Sequence, residues 1–85
     1  MVEKGFNSDI SISGSTFHVQ TEDWGILNPY LVSRVFHNGA VVKSIKTLYS
    51  DVLPKGPDSD SQSIRLAMQF QHQKILDLLV SGQLL

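Results

Sequence analysis

Three histidines are the residues best suited to acid–base or ligand chemistry: His18, His37 and His72. Imidazole titrates near neutral pH and is the commonest metal ligand, so each can be a proton carrier or a ligand. Their separations are 19 and 35 residues, which match no zinc-binding spacing. Glu22 and Asp23 follow His18 by four and five residues. His18, Glu22, Asp23 and His72 therefore form the candidate polar site. A small-ligand or metal-binding domain using His18 and His72 is one expectation that it supports. Against it, there is no G-x-S-x-G turn, no phosphate loop and no H-E-x-x-H pair. Ser13-Gly14-Ser15 holds a single glycine and cannot build a phosphate cradle. The chain has no cysteine, which removes thiolate chemistry. The reading is no catalytic residue, no cofactor and no metal: not an enzyme.

Binding chemistry has better candidates. Trp24, the only tryptophan, sits beside Glu22 and Asp23. An amphipathic indole there is either a plug for one end of a small core or an interaction anchor. Leu66 and Phe70 are one helical turn apart and lie off the apolar stripe of their helix. They point to a partner, a second copy or cover by the N-terminal lead-in containing Phe6, with scattered exposed apolar residues as the alternative. Leu66, Phe70 and Trp24 form the candidate interaction surface.

Composition narrows the setting. The 85 residues carry 41% hydrophobic and 18% charged side chains, enough apolar surface for one modest core. Lys and Arg total 7 against 8 Asp and Glu, a net charge of -1. No basic stripe is present, so nucleic acid is not expected as a partner. No apolar run reaches the ~18 residues of a membrane helix, and the N-terminus lacks a signal-peptide core. A small domain without disulfides suits a reducing compartment, so the expected location is cytoplasmic.

Two periodicities must position these groups. Residues 9–53 alternate with period two and predict a sheet; residues 59–82 repeat with period 3.6 and predict a helix. Residues 1–8 show neither and are read as a loose lead-in. The first hairpin is expected over Asp9–Ser13 and Thr16–Thr21, around a Gly14-Ser15 type II′ turn. The second joins Tyr30–His37 to Ala40–Leu48 through Asn38-Gly39, the strongest short hairpin signal. A straight two-residue turn would set Tyr30 opposite Thr47 and Arg34 opposite Lys43, a like-charge pair needing an acid such as Glu22. The helix begins with a Ser59/Gln62 capping box and ends at Gly82. At about 33 Å it is expected to overhang strands of ~20–27 Å. Its stripe of Ile64, Ala67, Met68, Gln71, His72, Ile75, Leu78 and Leu79 should pack on the sheet. His72 is then a packed core-edge residue, or a pH-sensitive or ligand-contacting one. His18 and His37 are expected to face solvent. The fold class is α+β: a single ββββα domain, two antiparallel hairpins packed by one long C-terminal helix.

Three stretches, taken together, also carry a family resemblance. They are His18-Val19-Gln20-Thr21-Glu22-Asp23, then Val35-Phe36-His37-Asn38-Gly39 with Thr47 and Tyr49, and Gln71-His72 with Ile75 and Gly82. Over residues 16–82 the chain resembles a group of short, largely uncharacterised bacterial proteins common in deltaproteobacteria. It departs from that group in Ile75, where methionine is usual, and in Trp24, where a charge is common. The resemblance implies no enzymatic activity. A more distant likeness is to the small protein partner of a response regulator that activates a Ras-like GTPase in gliding bacteria. That likeness implies an adaptor of a bacterial polarity system and fixes no residue. The expected function is a small non-enzymatic protein-interaction module with an unidentified protein partner or a homodimeric one.

Overall fold

The computed structural model describes residues 3–85. Four strands run in order, β1 (Phe6–Ile12), β2 (Ser15–Asp23), β3 (Tyr30–His37) and β4 (Ala40–Leu48). They form one antiparallel sheet in which sequence neighbours are spatial neighbours. A short helix α1 (Tyr49–Val52) and a 3₁₀ turn (Gly56–Asp58) lead into the long helix α2 (Ser61–Val80). This is the expected α+β arrangement. Among the described residues no helix is long and apolar enough to cross a membrane.

Several boundaries differ from the sequence expectation. Strand β1 starts at Phe6, so most of the expected lead-in is either strand or its approach; the first two residues of that lead-in lie outside the described ones. Phe6 pairs with Thr21 and its ring lies against His72, which gives the segment a packing role that periodicity could not show. The first turn is Ser13-Gly14, with φ of 50° and 83°, a type I′ geometry. Ile12 therefore opposes Ser15 and Ile10 opposes Phe17. This register is offset by two from the expected one, and a shift of two keeps every side chain on its face. The sheet expected to reach residue 53 stops at Leu48, because Tyr49–Val52 coils into α1.

The second hairpin turns at Asn38-Gly39 with φ of 52° and 79° as its sequence demands. His37 opposes Ala40 and Phe36 opposes Val41. Val35 then opposes Lys43, leaving Val42 as the extra residue of a β-bulge. The one-residue shift reverses the faces of the rest of β4. Arg34 opposes Ser44, so the expected Arg34–Lys43 repulsion does not arise. Ile45 and Thr47 come to the same face as Ser33 and Leu31, the helix side of the sheet.

Helix α2 is capped by Asp60, whose carboxylate accepts from the Ser63 amide at 2.8 Å. The cap is one residue later than expected, and the Ser59 hydroxyl is buried without a partner. At 20 residues, α2 spans about 30 Å and matches nine-residue strands of about 31 Å; the expected overhang is absent. Gly82 at φ 74° ends it, with the Gln83 amide returning to the Leu78 carbonyl. Ile64, Met68, His72, Ile75 and Leu79 are the buried stripe.

Candidate functional site

His72 is held by two neutral hydroxyls. Its Nε2 lies 2.8 Å from Ser8 Oγ and its Nδ1 2.8 Å from Thr21 Oγ1. Thr21 Oγ1 is 2.7 Å from Ser33 Oγ, and Gln71 Nε2 donates to Ser33 Oγ at 2.9 Å. Thr21 and Ser33 are fully buried and His72 nearly so. One direction of donation satisfies the whole chain: Gln71 to Ser33, Ser33 to Thr21, Thr21 to His72 Nδ1, and the Nε2 proton to Ser8. The imidazole is then neutral, and a proton on Nδ1 would leave the buried Thr21 hydroxyl hydrogen without an acceptor. Burial, and secondarily the charge of His18, hold the His72 pKa below its ordinary value. The packed core-edge reading describes this residue. The polar belt separates two apolar clusters, one around Leu31, Tyr49, Leu53, Ile64 and Met68, the other around Val19, Val35, Ile75 and Leu79. It fixes how α2 sits along the sheet, since sliding the helix would break the bonds of His72 to Ser8 and Thr21 and of Gln71 to Ser33.

Asp23 serves the backbone. One carboxylate oxygen accepts from the Gly25 amide at 2.9 Å and from the Tyr49 hydroxyl; the other accepts from the Glu3 amide at 2.9 Å. Burial and then this carboxylate push Tyr49 well above the usual tyrosine range. With three donors on a buried group, Asp23 ties the β2 end, the N-terminal approach and α1 together.

His18 and Glu22 are on the other face of the sheet. His18 Nδ1 meets Asp9 Oδ1 at 2.8 Å, and Glu22 lies 3.8 Å from Arg34, the pairing the sequence suggested. The candidate polar site is thus divided by the sheet: His18 and Glu22 outside, Asp23 and His72 inside. Among the described residues no group of three or more His, Cys, Asp or Glu is placed to hold a metal. His37, expected in solvent, is half-buried and stacks on Phe17 at 4.7 Å.

Trp24 also lies on the outer face, half-buried. Its ring meets Tyr30 edge-on, and the Lys46 ammonium sits 4.9 Å from the indole and 4.3 Å from the Tyr30 ring. It is neither a plug of the helix-side core nor part of one surface with Leu66 and Phe70. Beyond it the β2–β3 loop exposes Ile26 and Leu27, which sequence pattern left unnoticed.

Leu66 and Phe70 are 59% and 75% exposed on α2, as their place on the helical wheel requires. They border a groove the sequence did not reveal. Four strands at ~4.8 Å spacing make a sheet about 19 Å wide, and one helix covers ~10–12 Å of it. Helix α2 packs chiefly on β2 and β1 and only lightly on β3. The inner side of β4 is left bare. Two adjoining hollows of about 430 and 360 Å³ result, walled by Phe70, Ala67, Val52, Leu53, Ile45 and Leu78. Only the bulge brings Ile45 and Thr47 to this wall. Comparisons with protein-family models, curated proteins and solved structures gave no match to this chain.

Proposed function

We propose that this protein is a non-enzymatic interaction module that takes an apolar helix into the groove between α2 and β4. The observation that carries the reading is the half-covered inner face of the sheet, with Leu66 and Phe70 exposed at its margin. A surface of contiguous apolar side chains beside a rigid helix is what helix-in-groove recognition uses. Burying two such anchors contributes on the order of 2–4 kcal/mol, more than tenfold in affinity. The titratable groups fit the same reading, since His72 and Asp23 are spent on packing and backbone support. The test is site-specific photo-cross-linking in cells, with the reactive side chain at Phe70 and a control at the exposed Asn7 of β1. A discrete adduct from position 70 and none from position 7 is expected. Equal, diffuse labelling from both positions would reject the groove as a binding surface.

A further inference from the structure

We propose, building on the interaction reading above, that the occupant of the groove is α2 of a second copy, in a closed two-fold dimer. The outward line of α2 carries Leu66, then Phe70 one turn on, then Asp77 two turns further. The bare strip of the protein presents a matching order along the same axis. Leu53 packs with Ile64 and Met68 near the start of α2. Ile45 comes next, beside Ser33 and the cluster of Ile75. Lys43 comes last, opposite Val35, which packs with Ile75 and Leu79. The ridge therefore reads apolar, apolar, anion, and the strip reads apolar, apolar, cation.

A second α2 laid parallel and in register sets Leu66 over the hollow at Leu53, Phe70 over the hollow at Ile45 and Asp77 over Lys43. An antiparallel helix would instead bring Asp77 to Leu53. A two-fold axis parallel to α2 produces the parallel arrangement and makes it reciprocal, so the assembly closes at two chains. The two helices then share one layer between two sheets, filling the width that one helix leaves open. Lys43 and Asp77 are both exposed and neither has an ion partner among the described residues. The one side-chain bond Asp77 accepts comes from Gln73 of its own helix, at 3.0 Å. Lys74, the one charged side chain lining the hollows, stands at the helix–helix seam, where its stem packs and its ammonium reaches water.

Sedimentation equilibrium at low ionic strength tests this, because exposed charge pairs are screened by salt. The wild-type chain is expected to dimerise. Lys43→Asp and Asp77→Lys should each dimerise at least about tenfold more weakly, since each places like charges together twice per dimer. An equimolar mixture of the two variants should recover wild-type affinity, because both contacts in the mixed dimer pair opposite charges. Leu66→Glu with Phe70→Glu should be monomeric with an unchanged circular dichroism spectrum, as both side chains are exposed in the single chain. A wild-type chain that stays monomeric at several hundred micromolar overturns the proposal, as does a mixture that recovers nothing. If that monomer still gives a discrete Phe70 adduct with a different protein, the second copy is rejected and the groove reading stands. If it gives none, both fall.

Discussion

Protonating His72 breaks a hydrogen-bond chain that has one satisfying direction, so this side chain links stability to pH. Its folded pKa lies below the ordinary value of 6.5, through burial first. Between the folded and ordinary values the unfolded chain binds more protons, so stability rises with pH there. The contribution is complete above about 6.5, is lost as pH falls toward the folded pKa, and is flat below it. His72→Leu leaves Thr21 its bond to Ser33 but takes the acceptor from the buried Thr21 hydroxyl hydrogen and strips Ser8 of its partner. Urea denaturation of that variant at pH 7.5 should show a loss of about 1–2 kcal/mol, narrowing as the pH is lowered to 5. A gap that widens on acidification would mean His72 is charged in the folded state. Gly5 is a second residue with a specific demand. A Cβ there would run into the Thr21 carbonyl, which is backbone and cannot turn aside. Gly5→Ala is expected to cost about 1–3 kcal/mol and to loosen the start of β1, read as faster amide exchange at Phe6. Neither demand was legible in the chain. The pattern placed His72 on a packed stripe but could not show which hydroxyls would meet it, because Ser8, Thr21 and Ser33 come from three strands.

Strand β4 owes its faces to the bulge at Val42. Asn38-Gly39 specified the turn, since both positions need positive φ, and the first two pairs followed from it. What the turn could not specify was whether the alternation would hold along the whole strand. Continued without a bulge, the pairing would have put Lys46 and Ser44 under α2 and Ile45 in solvent on the outer side. The bulge exchanges them, so Ile45 reaches the core cluster and Lys46 reaches Trp24 and Tyr30. Deleting Val42 therefore removes an unpaired residue while leaving Lys43, Ile45 and Thr47 facing inward. The melting temperature of the deletion variant should stay within about 8 °C of wild type, roughly 1 kcal/mol for a domain of this size. If the strand were unbulged, the same deletion would turn its C-terminal half over and unfold the protein.

At the scale of the whole molecule, one helix is too narrow for four strands. The radius of gyration is 13.2 Å, against about 12 Å for a compact chain of this length. The excess reflects an elongated body, 42 Å long against 22 and 17 Å across. Dimerisation through the open half would couple association to folding. The melting temperature of the wild-type chain should then climb with protein concentration between 1 and 100 μM, roughly by several degrees. That of the Leu66→Glu, Phe70→Glu variant should not change over the same range. Differential scanning fluorimetry on both gives the comparison.

The chain by itself determined whatever depends on neighbours in sequence. The change from period two to period 3.6 separates sheet from helix, although the sheet ends at Leu48 and not at residue 53, and Asn38-Gly39 and Gly82 end their elements through backbone freedom. The same periodicity put Leu66 and Phe70 outside the packed stripe. Tertiary structure decided what depends on distance across the sheet. Asp23 and His72 were grouped with His18 and Glu22 by sequence proximity and residue type, and the pleat separated them, because alternate residues of one strand leave on opposite faces. Trp24 was separated from Leu66 and Phe70 because its ring packs with Arg34 and Lys46 on the outer face while α2 lies on the inner one. The groove arises only when the width of a four-stranded sheet is set against the width of one helix and the bulge has turned Ile45 inward. No local pattern contains that comparison, since it joins residues from α1, α2 and β4 that meet only in the folded chain.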